Sequence, residues 1–594
     1  MDFETIVTLD FETKAIRDGA PLLPQPVGCA LKIGRGPSEY WAWGHPCENN
    51  CTREEFAARL RSIWGAEFLT HNGLTFDIPV AEHWFGLPKR DPMLTHDTLF
   101  LAYLHNPHAR SLSLKDLAND WLGIPPDEQQ EMYDWILGNT DCPSRSQCGA
   151  YISEVPARMA GRYAIGDTDR TFLLAEHLQS VLTAMSGPYD RERRLAPILA
   201  DIQNRGVRCD VERLKEDYTA AVRAKGTLDT LIREHLRRDE TFNPGSDNEL
   251  SAALLELGYQ GFLTTPTGKV SMARPSLEKV LGNDPELMSM LKSRSIYDTL
   301  TGTFMSSWIG YAEANEGRIH AQYNQVRNPD GFGTRTGRLS SSRPNFQNVP
   351  KNLGTDHFGN PFPEMRSYLL PEEGHVWVCG DFKNQEPRLT AHYESSSLME
   401  AFQKDSDLDP YIFVRDICGL AKDKHGRHEA KQILLGIIYA MGAAAMGERL
   451  GADAARATML RNMVRSALPG VVELDHDCKR RFRHGLPIQT LGGRLYYCEP
   501  PSNGRSWEYK ALNTLIQGSA ADQCKEALIY LHIHLDMLGA RLLGTVHDEI
   551  SVSCKPEQVG AVAELMQTAA NYLPCDVPMI MDIGSGDNWT GAKP

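Results

Sequence analysis

Asp10 and Glu12 stand two residues apart in IVTLDFET, Asp77 closes THNGLTFD, and Asp167 follows Tyr163 by four in RYAIGDTDRT. Four carboxylates from three segments are enough to hold two metal ions. A second acidic set lies downstream, where Asp381 ends the apolar run VWVCGD and Asp548 and Glu549 follow His547 in LLGTVHDEISV. Carboxylates from distant segments that meet on one sheet hold paired magnesium ions about 3.5 to 4 Å apart, the geometry of phosphoryl transfer. Either run alone is more often a solvated strand end, and what lies between them decides the reading. In RHEAKQILLGIIYAMG, Arg427, Lys431, Leu435 and Tyr439 recur at steps of four, a stripe on one face of a helix. Two cations followed by an aromatic suit a nucleoside triphosphate, with Arg427 and Lys431 at the phosphates and Tyr439 near the sugar and base.

The elements that must deliver these groups show in the same windows. Val376, Trp377, Val378 and Cys379 predict a buried strand that leaves Asp381 at its end, before a polar helix-like segment. Apolar stretches on either side of His547, Asp548 and Glu549 predict a hairpin with acids at its tip. IVTLDFET predicts a strand with Asp10 and Glu12 on one face, because strand residues two apart point the same way. Asn72, Phe76 and Asp77 follow another apolar entry, and Tyr163 and Asp167 share a helix face. Asp97, after His96, opens an apolar periodic segment and reads as an N-cap, and SLSLKDLANDWLG reads as a packed helix. Ser186, Gly187 and Pro188 predict a helix break and a boundary, beyond which the pattern is mostly helical. Asn513, Gln517, Ala521 and Lys525 again step by four, a polar stripe on one more helix.

With 594 residues, 41% of them hydrophobic and 23% charged, the chain has the make-up of a soluble globular protein of several domains. No apolar run approaches the roughly 18 residues that span a membrane, and MDFETIVTLDFET lacks a basic start and a signal-like core. A cytoplasmic setting without a membrane partner is expected. The net charge of −15 taken alone speaks against nucleic acid, but an acidic exterior can carry a basic channel, and metal-binding acids add to the count. Thirteen scattered cysteines read as free thiols in a reducing compartment. His45, Cys47 and Cys51, with Cys142 and Cys148, match no common zinc spacing, so loop thiols are expected in place of a zinc centre.

Taken with TGRLSSSRPNFQNVP at 336 to 350 and NTLIQGSAAD at 513 to 522, the downstream set resembles the polymerase module of family A DNA polymerases, the group of bacterial DNA polymerase I and many phage replicative enzymes. The ordered trio D-x-E, N-x(3)-F-D and Y-x(3)-D resembles the proofreading 3′-to-5′ exonuclease domain of the DnaQ-like superfamily. The resemblance covers nearly the whole chain. It implies an α/β multidomain fold, with an RNase H-like exonuclease domain at 1–187 followed by a right hand: thumb at 188–325, palm at 326–400 and 501–594, fingers at 401–500. It also implies template-directed addition of deoxynucleotides to a primer 3′ end, with proofreading. An exonuclease motif beginning at residue 10 implies that the 5′ nuclease domain is absent, and a phage replicative enzyme in the host cytoplasm is the expected setting.

The resemblance gives each matched residue a part. Asp10, Glu12, Asp77 and Asp167 would bind metal, and Tyr163 would orient the water that attacks the terminal phosphodiester. Asp381 and Asp548 would bind the polymerase metals, with Glu549 as an auxiliary acid. The implied cofactor is magnesium, two ions per active site, with manganese as a substitute. Arg427 and Lys431 would neutralise the deoxynucleotide triphosphate. Glu386 would sit under its sugar and exclude a 2′-hydroxyl, with Tyr439 opposite. Thr336, Arg338, Ser341, Asn345, Gln347 and Asn348 would meet primer-template DNA in the minor groove, where the acceptors are nearly the same for every base pair. Arg388, Asn513 and Gln517 are further expected DNA contacts, His547 would reach the primer-terminal phosphate, and TTPTGKVSMARPS at 264 to 276 suits phosphates.

The match has departures. Where the family usually has D-Y-S-Q-I-E-L-R, this chain has Asp381, Phe382, Lys383, Asn384, Gln385, Glu386, Pro387 and Arg388. Pro387 lacks a backbone donor and predicts a helix start or kink. Leu435 stands where the family has Phe or Tyr, and Ala440 where Gly is usual. Two rivals remain in view, a dedicated exonuclease whose second half no longer synthesises and a silent DNA-binding scaffold. The scaffold gives no reason for acids at every metal position.

Overall fold

In the computed structural model the described residues are 1–593 except 18, 266, 328–332 and 503; residue 266, within the hydroxyl-rich thumb segment, therefore lies outside them. The first sheet has strands β1 (Val7–Thr13), β2 (Pro26–Ile33), β3 (Ser38–Ala42), β4 (Phe68–Thr70) and β5 (Thr95–Asp97) in the order β3-β2-β1-β4-β5. β2 and β3 are antiparallel to their neighbours, whereas β1, β4 and β5 run parallel, the mixed pattern expected of an RNase H-like sheet. Helix α1 (Asp77–Phe85) follows β4, and α2 (Thr98–His105) follows β5 with Asp97 as its N-cap, accepting the Leu99 N–H at 3.0 Å. The same carboxylate accepts from Asn72 N at 2.8 Å, so the expected cap also fixes the loop that leads into α1. Helix α3 (Ala157–His177) crosses β1, β2 and β3.

The helix break comes one residue before the predicted one. The break is at Met185, whose backbone leaves the helix, and Ser186, Gly187 and Pro188 form the first turn of α4 (Ser186–Arg205), where a proline leaves no N–H unpaired. Leu195, Ile198, Leu199 and Ile202 of α4 lie in one core with helices of the second half of the chain, and a separate helical arm starts at α5 (Val211–His235), packed against α6 (Pro285–Thr299).

A second sheet carries the downstream acids. Its strands β6 (Val376–Phe382), β7 (Arg541–Val546), β8 (Glu549–Cys554) and β9 (Met581–Gly586) are antiparallel throughout, in the order β7-β8-β6-β9. Val378, Ile550 and Val552 face a core shared with helices α7 (Gln385–Glu394), α9 (Ala511–Leu535) and α10 (Val559–Ala570). Trp377 and Cys379 face the other way, against Trp589. Gly380 lets α10 close on the strand, since a Cβ there would stand 2.9 Å from Met566 Sδ. Between α7 and α9 lies a run of helices that includes α8 (Lys424–Ile438).

Pro387 sits in the first turn of α7, where its missing N–H costs nothing, so this departure leaves the helix intact. All thirteen cysteines are free thiols, and His45 is buried with Tyr40 and the Val155 carbonyl on its two ring nitrogens.

Candidate active sites

The upstream acids converge. Asp10 and Glu12 project from β1, Asp167 from α3, and carboxylate oxygens of the three all lie within 4.8 Å of one another. Asp77, the first residue of α1, accepts the Phe11 N–H at 2.8 Å. Burial and the crowding of like charges push Asp10 well above the usual carboxylate range, and Glu12 to about 8. Burial, with Asp97 nearby, raises Asp77 to about 7. Tyr163 shares this environment, its phenol pushed up by burial and the charge of Asp167. So dense a set of oxygen donors carries a charge that a hard divalent cation would relieve, and the residues present fit such an ion.

Lys115 was not foreseen. Its ammonium donates to both oxygens of Asp167, at 2.8 and 2.5 Å, and stands 3.9 Å over the Tyr163 ring. It comes from the segment read only as a packed helix, and no local pattern tells which of its polar residues turns toward acids 52 positions away.

In the second sheet Asp381 lies directly opposite Glu549 on one neighbour and Asp582 on the other. Asp548 occupies the hairpin turn, as predicted, and its carbonyl accepts the Phe382 N–H at 3.1 Å. Burial, then the charge of Asp548, raises Asp381 to about 6. The pair suits a hard cation for the same reason as the upstream set. Glu549 is differently placed. It is 3% exposed and accepts from Lys593 Nζ at 2.5 Å, Arg366 Nη1 at 3.4 Å and Trp589 Nε1. Burial alone would raise its carboxyl, but donation from Lys593 and Trp589 outweighs that and holds it low. Lys593 also approaches Asp381, at 3.7 Å.

The step-of-four stripe lies on α8 and its C-cap. Arg427 pairs with Asp409 at 2.6 Å, and Arg427 and Lys431 stand 5.3 and 5.4 Å over the Tyr411 ring. Leu435 packs partly buried on the core, and the Tyr439 hydroxyl donates to Glu386. The other oxygen of Glu386 accepts from Arg338. One carboxylate thus joins the helix after β6, the end of α8 and the polar loop around residue 338.

The expected DNA contacts divide. Asn348 is exposed and Asn513 and Gln517 are partly so, while Asn345 caps a single turn by accepting the Gln347 N–H at 2.9 Å. Gln347 is mostly buried and splints the acidic hairpin, accepting from His547 N at 2.8 Å and donating to the Thr545 carbonyl at 3.2 Å. It thereby holds His547 at φ 58°, a conformation costly for a residue with a side chain. Arg388 does not reach DNA. It is fully buried, and three of its five guanidinium N–H groups donate to the carbonyls of Lys383, Pro578 and Ser406 at 3.0, 2.8 and 2.6 Å, which turns it into the interior and away from any surface a phosphate could reach. Lys525 likewise leaves the predicted polar stripe for the interior, where Glu192 takes its charge at 2.6 Å.

The family model described as DNA polymerase family A matches residues 212–591. The chain belongs to DNA polymerase family A. A second model, described as 3′-5′ exonuclease, matches residues 5–183, so an exonuclease domain precedes the family A domain. The chain is 28% identical to a DNA polymerase I of Chloroflexus aurantiacus over 97% of its own length and 60% of that protein's. It is 26% identical to a DNA-directed DNA polymerase of Pseudomonas phage M6, covering 98% of this chain and 92% of that one. The chain thus spans about 60% of the Chloroflexus relative's length. Among solved structures, the POL domain of Pol1 from M. smegmatis, in complex with DNA primer-template and dNTP, superposes with a TM-score of 0.79 at 22% identity, covering 99% of this chain and 96% of that one, a likeness of fold.

Within family A the departure at Ala440 has a structural cost. The residue follows Tyr439 at the end of α8 with φ 53°, the left-handed region that favours glycine. Ala440→Gly should therefore stabilise the chain by about 1 kcal/mol, read as a higher midpoint of denaturant unfolding. A lower midpoint would mean that the methyl group contributes more by packing than its backbone loses.

Proposed function

We propose that the chain is a template-directed DNA polymerase that extends a primer 3′ end with deoxynucleotides and corrects it through a 3′-to-5′ exonuclease. The observation that carries this reading is Glu386, held between Tyr439 of the phosphate-facing helix and Arg338, on the helix that begins just beyond Asp381. It ties a cationic stripe suited to a triphosphate to an acidic pair suited to metal.

In this reading Asp381 and Asp548 bind the metal of synthesis, and Asp10, Glu12, Asp77 and Asp167 that of excision. Magnesium bound at these acids would activate the attacking oxygen and offset charge on the phosphate. Arg427 and Lys431 face the triphosphate, where a guanidinium and an ammonium neutralise phosphate oxygens. Tyr163 orients the nucleophile of excision, and Lys115 balances the charge of Asp167. Glu549, tied to Lys593 and Trp589, acts by fixing the hairpin that presents Asp548. Arg338, Asn345, Asn348, Asn513, Gln517 and His547 line the path of primer-template DNA. The domains we propose are an exonuclease through residue 185, α4 as a strut shared with the palm, a thumb from 211, fingers around α8, and a palm built on the second sheet. No helix among the described residues is long and apolar enough to cross a membrane, and we place the enzyme in a cytoplasm, that of the host if a phage encodes it.

The test is extension of a labelled primer on a template with all four deoxynucleotides, with and without magnesium. Magnesium-dependent extension is expected; a folded protein that shortens the primer but never lengthens it would establish the dedicated exonuclease instead.

Leu435 adds a finer expectation. It follows Lys431 by one turn on α8, where the family's Tyr variants accept chain-terminating dideoxynucleotides and its Phe variants reject them. Leucine, like phenylalanine, has no hydroxyl to replace the missing 3′-hydroxyl. The native protein should discriminate against dideoxynucleotides, and Leu435→Tyr should relax this by the worth of one hydrogen bond, about 1 to 1.5 kcal/mol or roughly tenfold. The ratio of dideoxy to normal incorporation, in exonuclease-deficient protein, measures it. An unmoved ratio would take Leu435 away from the sugar.

A further inference from the structure

Tyr103 belongs to the exonuclease domain, yet its polar end serves the other half of the molecule. The ring is fully buried on α2. Its hydroxyl donates to the Thr334 carbonyl at 2.7 Å and accepts the Gly337 N–H at 3.1 Å, so a single oxygen pins both ends of the segment that leads into Arg338. Thr334 closes the segment from the other side, donating from Oγ1 to the Arg338 carbonyl at 2.8 Å. Arg494 lies 4.2 Å over the Tyr103 ring, and Gly337, at φ 90°, presses on it so closely that a Cβ would stand 2.7 Å from Arg494 Nη1. The segment is therefore clamped between Tyr103 of the exonuclease domain and Arg494 of the family A domain. From its end Arg338 reaches Glu386, and Glu386 reaches Tyr439.

We propose that Tyr103 is a positioning residue of the polymerase pocket: its hydroxyl fixes the backbone at 334 to 337 so that Arg338 meets Glu386 in the geometry that selects the sugar. This rests on the reading of Glu386 and Arg338 given above. The physical ground is that a hydroxyl which both donates and accepts in a buried site cannot be replaced by water without space for one, and its loss leaves one carbonyl and one N–H unpaired. The loosened segment carries the cation that orients Glu386. The distal domain thus sets the precision of the synthetic site through one side chain, while the excision acids, on other elements, do not depend on that hydroxyl.

The experiment compares Tyr103→Phe, Arg338→Ala and the double variant in full-length protein, alongside thermal melting. Extension and the ratio of ribonucleotide to deoxynucleotide incorporation are read in an exonuclease-deficient background, and degradation of single-stranded oligonucleotide in an exonuclease-proficient one. Tyr103→Phe should raise KM for the deoxynucleotide about five- to tenfold, move the sugar ratio in the same direction as Arg338→Ala, and leave single-strand degradation within about twofold of native. In the Arg338→Ala background it should add nothing further, since the residue through which it acts is gone. A Tyr103→Phe protein with native KM and sugar ratio overturns the proposal, as does an effect that adds in full to that of Arg338→Ala. A parallel fall in degradation and extension overturns it too. If Arg338→Ala itself changes neither KM nor sugar choice, the reading of the pocket fails along with the coupling; an effective Arg338→Ala beside an inert Tyr103→Phe removes the coupling alone.

Discussion

Asp548→Ala should cut primer extension about a thousandfold or more and leave degradation of a single-stranded primer at its native rate. Paired replacement of Asp10 and Glu12 by Ala should do the reverse. The asymmetry follows from the two sheets. Asp10, Glu12, Asp77 and Asp167 gather on the first sheet and the helices against it, while Asp381 and Asp548 gather on the second, and no acid is common to both. Loss of a metal-binding carboxylate removes several kcal/mol of transition-state stabilisation, and each 1.4 kcal/mol is worth about a factor of ten in rate. Extension and excision are read on the same preparations, with circular dichroism to show that each variant folds. If either change removed both activities from folded protein, the assignment of one reaction to each sheet would be wrong.

The second large effect is expected at Glu386. Its carboxylate is fixed from two sides, by Arg338 and by Tyr439, and it lies on the first turn of α7 with 9% exposure. A side chain so held fills a defined volume, and a ribose 2′-hydroxyl brought there would meet it without a free partner. Glu386→Ala empties that volume and releases both anchors, so ribonucleotide incorporation relative to deoxynucleotide should rise about a hundredfold even as overall rate falls. Competition between the two substrates at one template position measures the ratio. A ratio unchanged from native protein would show that something else in the pocket excludes the hydroxyl.

What the sequence disclosed, and what it concealed, divides along a physical line. Strand ends carrying Asp10, Glu12 and Asp381, the acidic hairpin at Asp548, and the stripe from Arg427 to Tyr439 all follow from periodicity, which is a local property. The inward fates of Arg388 and Lys525 do not. A basic residue at helical spacing reads as a surface cation until a distant partner is known, and these partners are the carbonyls of Lys383, Ser406 and Pro578 for one and Glu192 for the other. Burial of a charge is tolerated only where such partners exist, and Pro578 and Glu192 lie 190 and 333 residues from the cations they receive. Lys115 and Tyr103 were hidden for the same reason, each acting on a segment folded against it from elsewhere. The boundary at 186 to 188 shows a milder limit: Gly and Pro marked the break, but a proline serves a helix start as well as it ends one, and here it does the former.

The strand that carries Asp381 has β9 as one of its two neighbours, and the carboxylate of Glu549 is gripped by Trp589 and Lys593. Both come from beyond every other element of the palm. Ribosomal synthesis therefore delivers the two halves of this molecule at different times: strands β1 to β5 have emerged and can pair while the fingers are still unmade, whereas the synthetic centre lacks a wall until the segment after residue 580 is free. A nascent or prematurely released chain would carry the first acidic sheet complete and the second still lacking a strand. The tight docking of α4 and Tyr103 into the later half then acquires a temporal meaning, since these contacts between the two halves form only once the later half has folded.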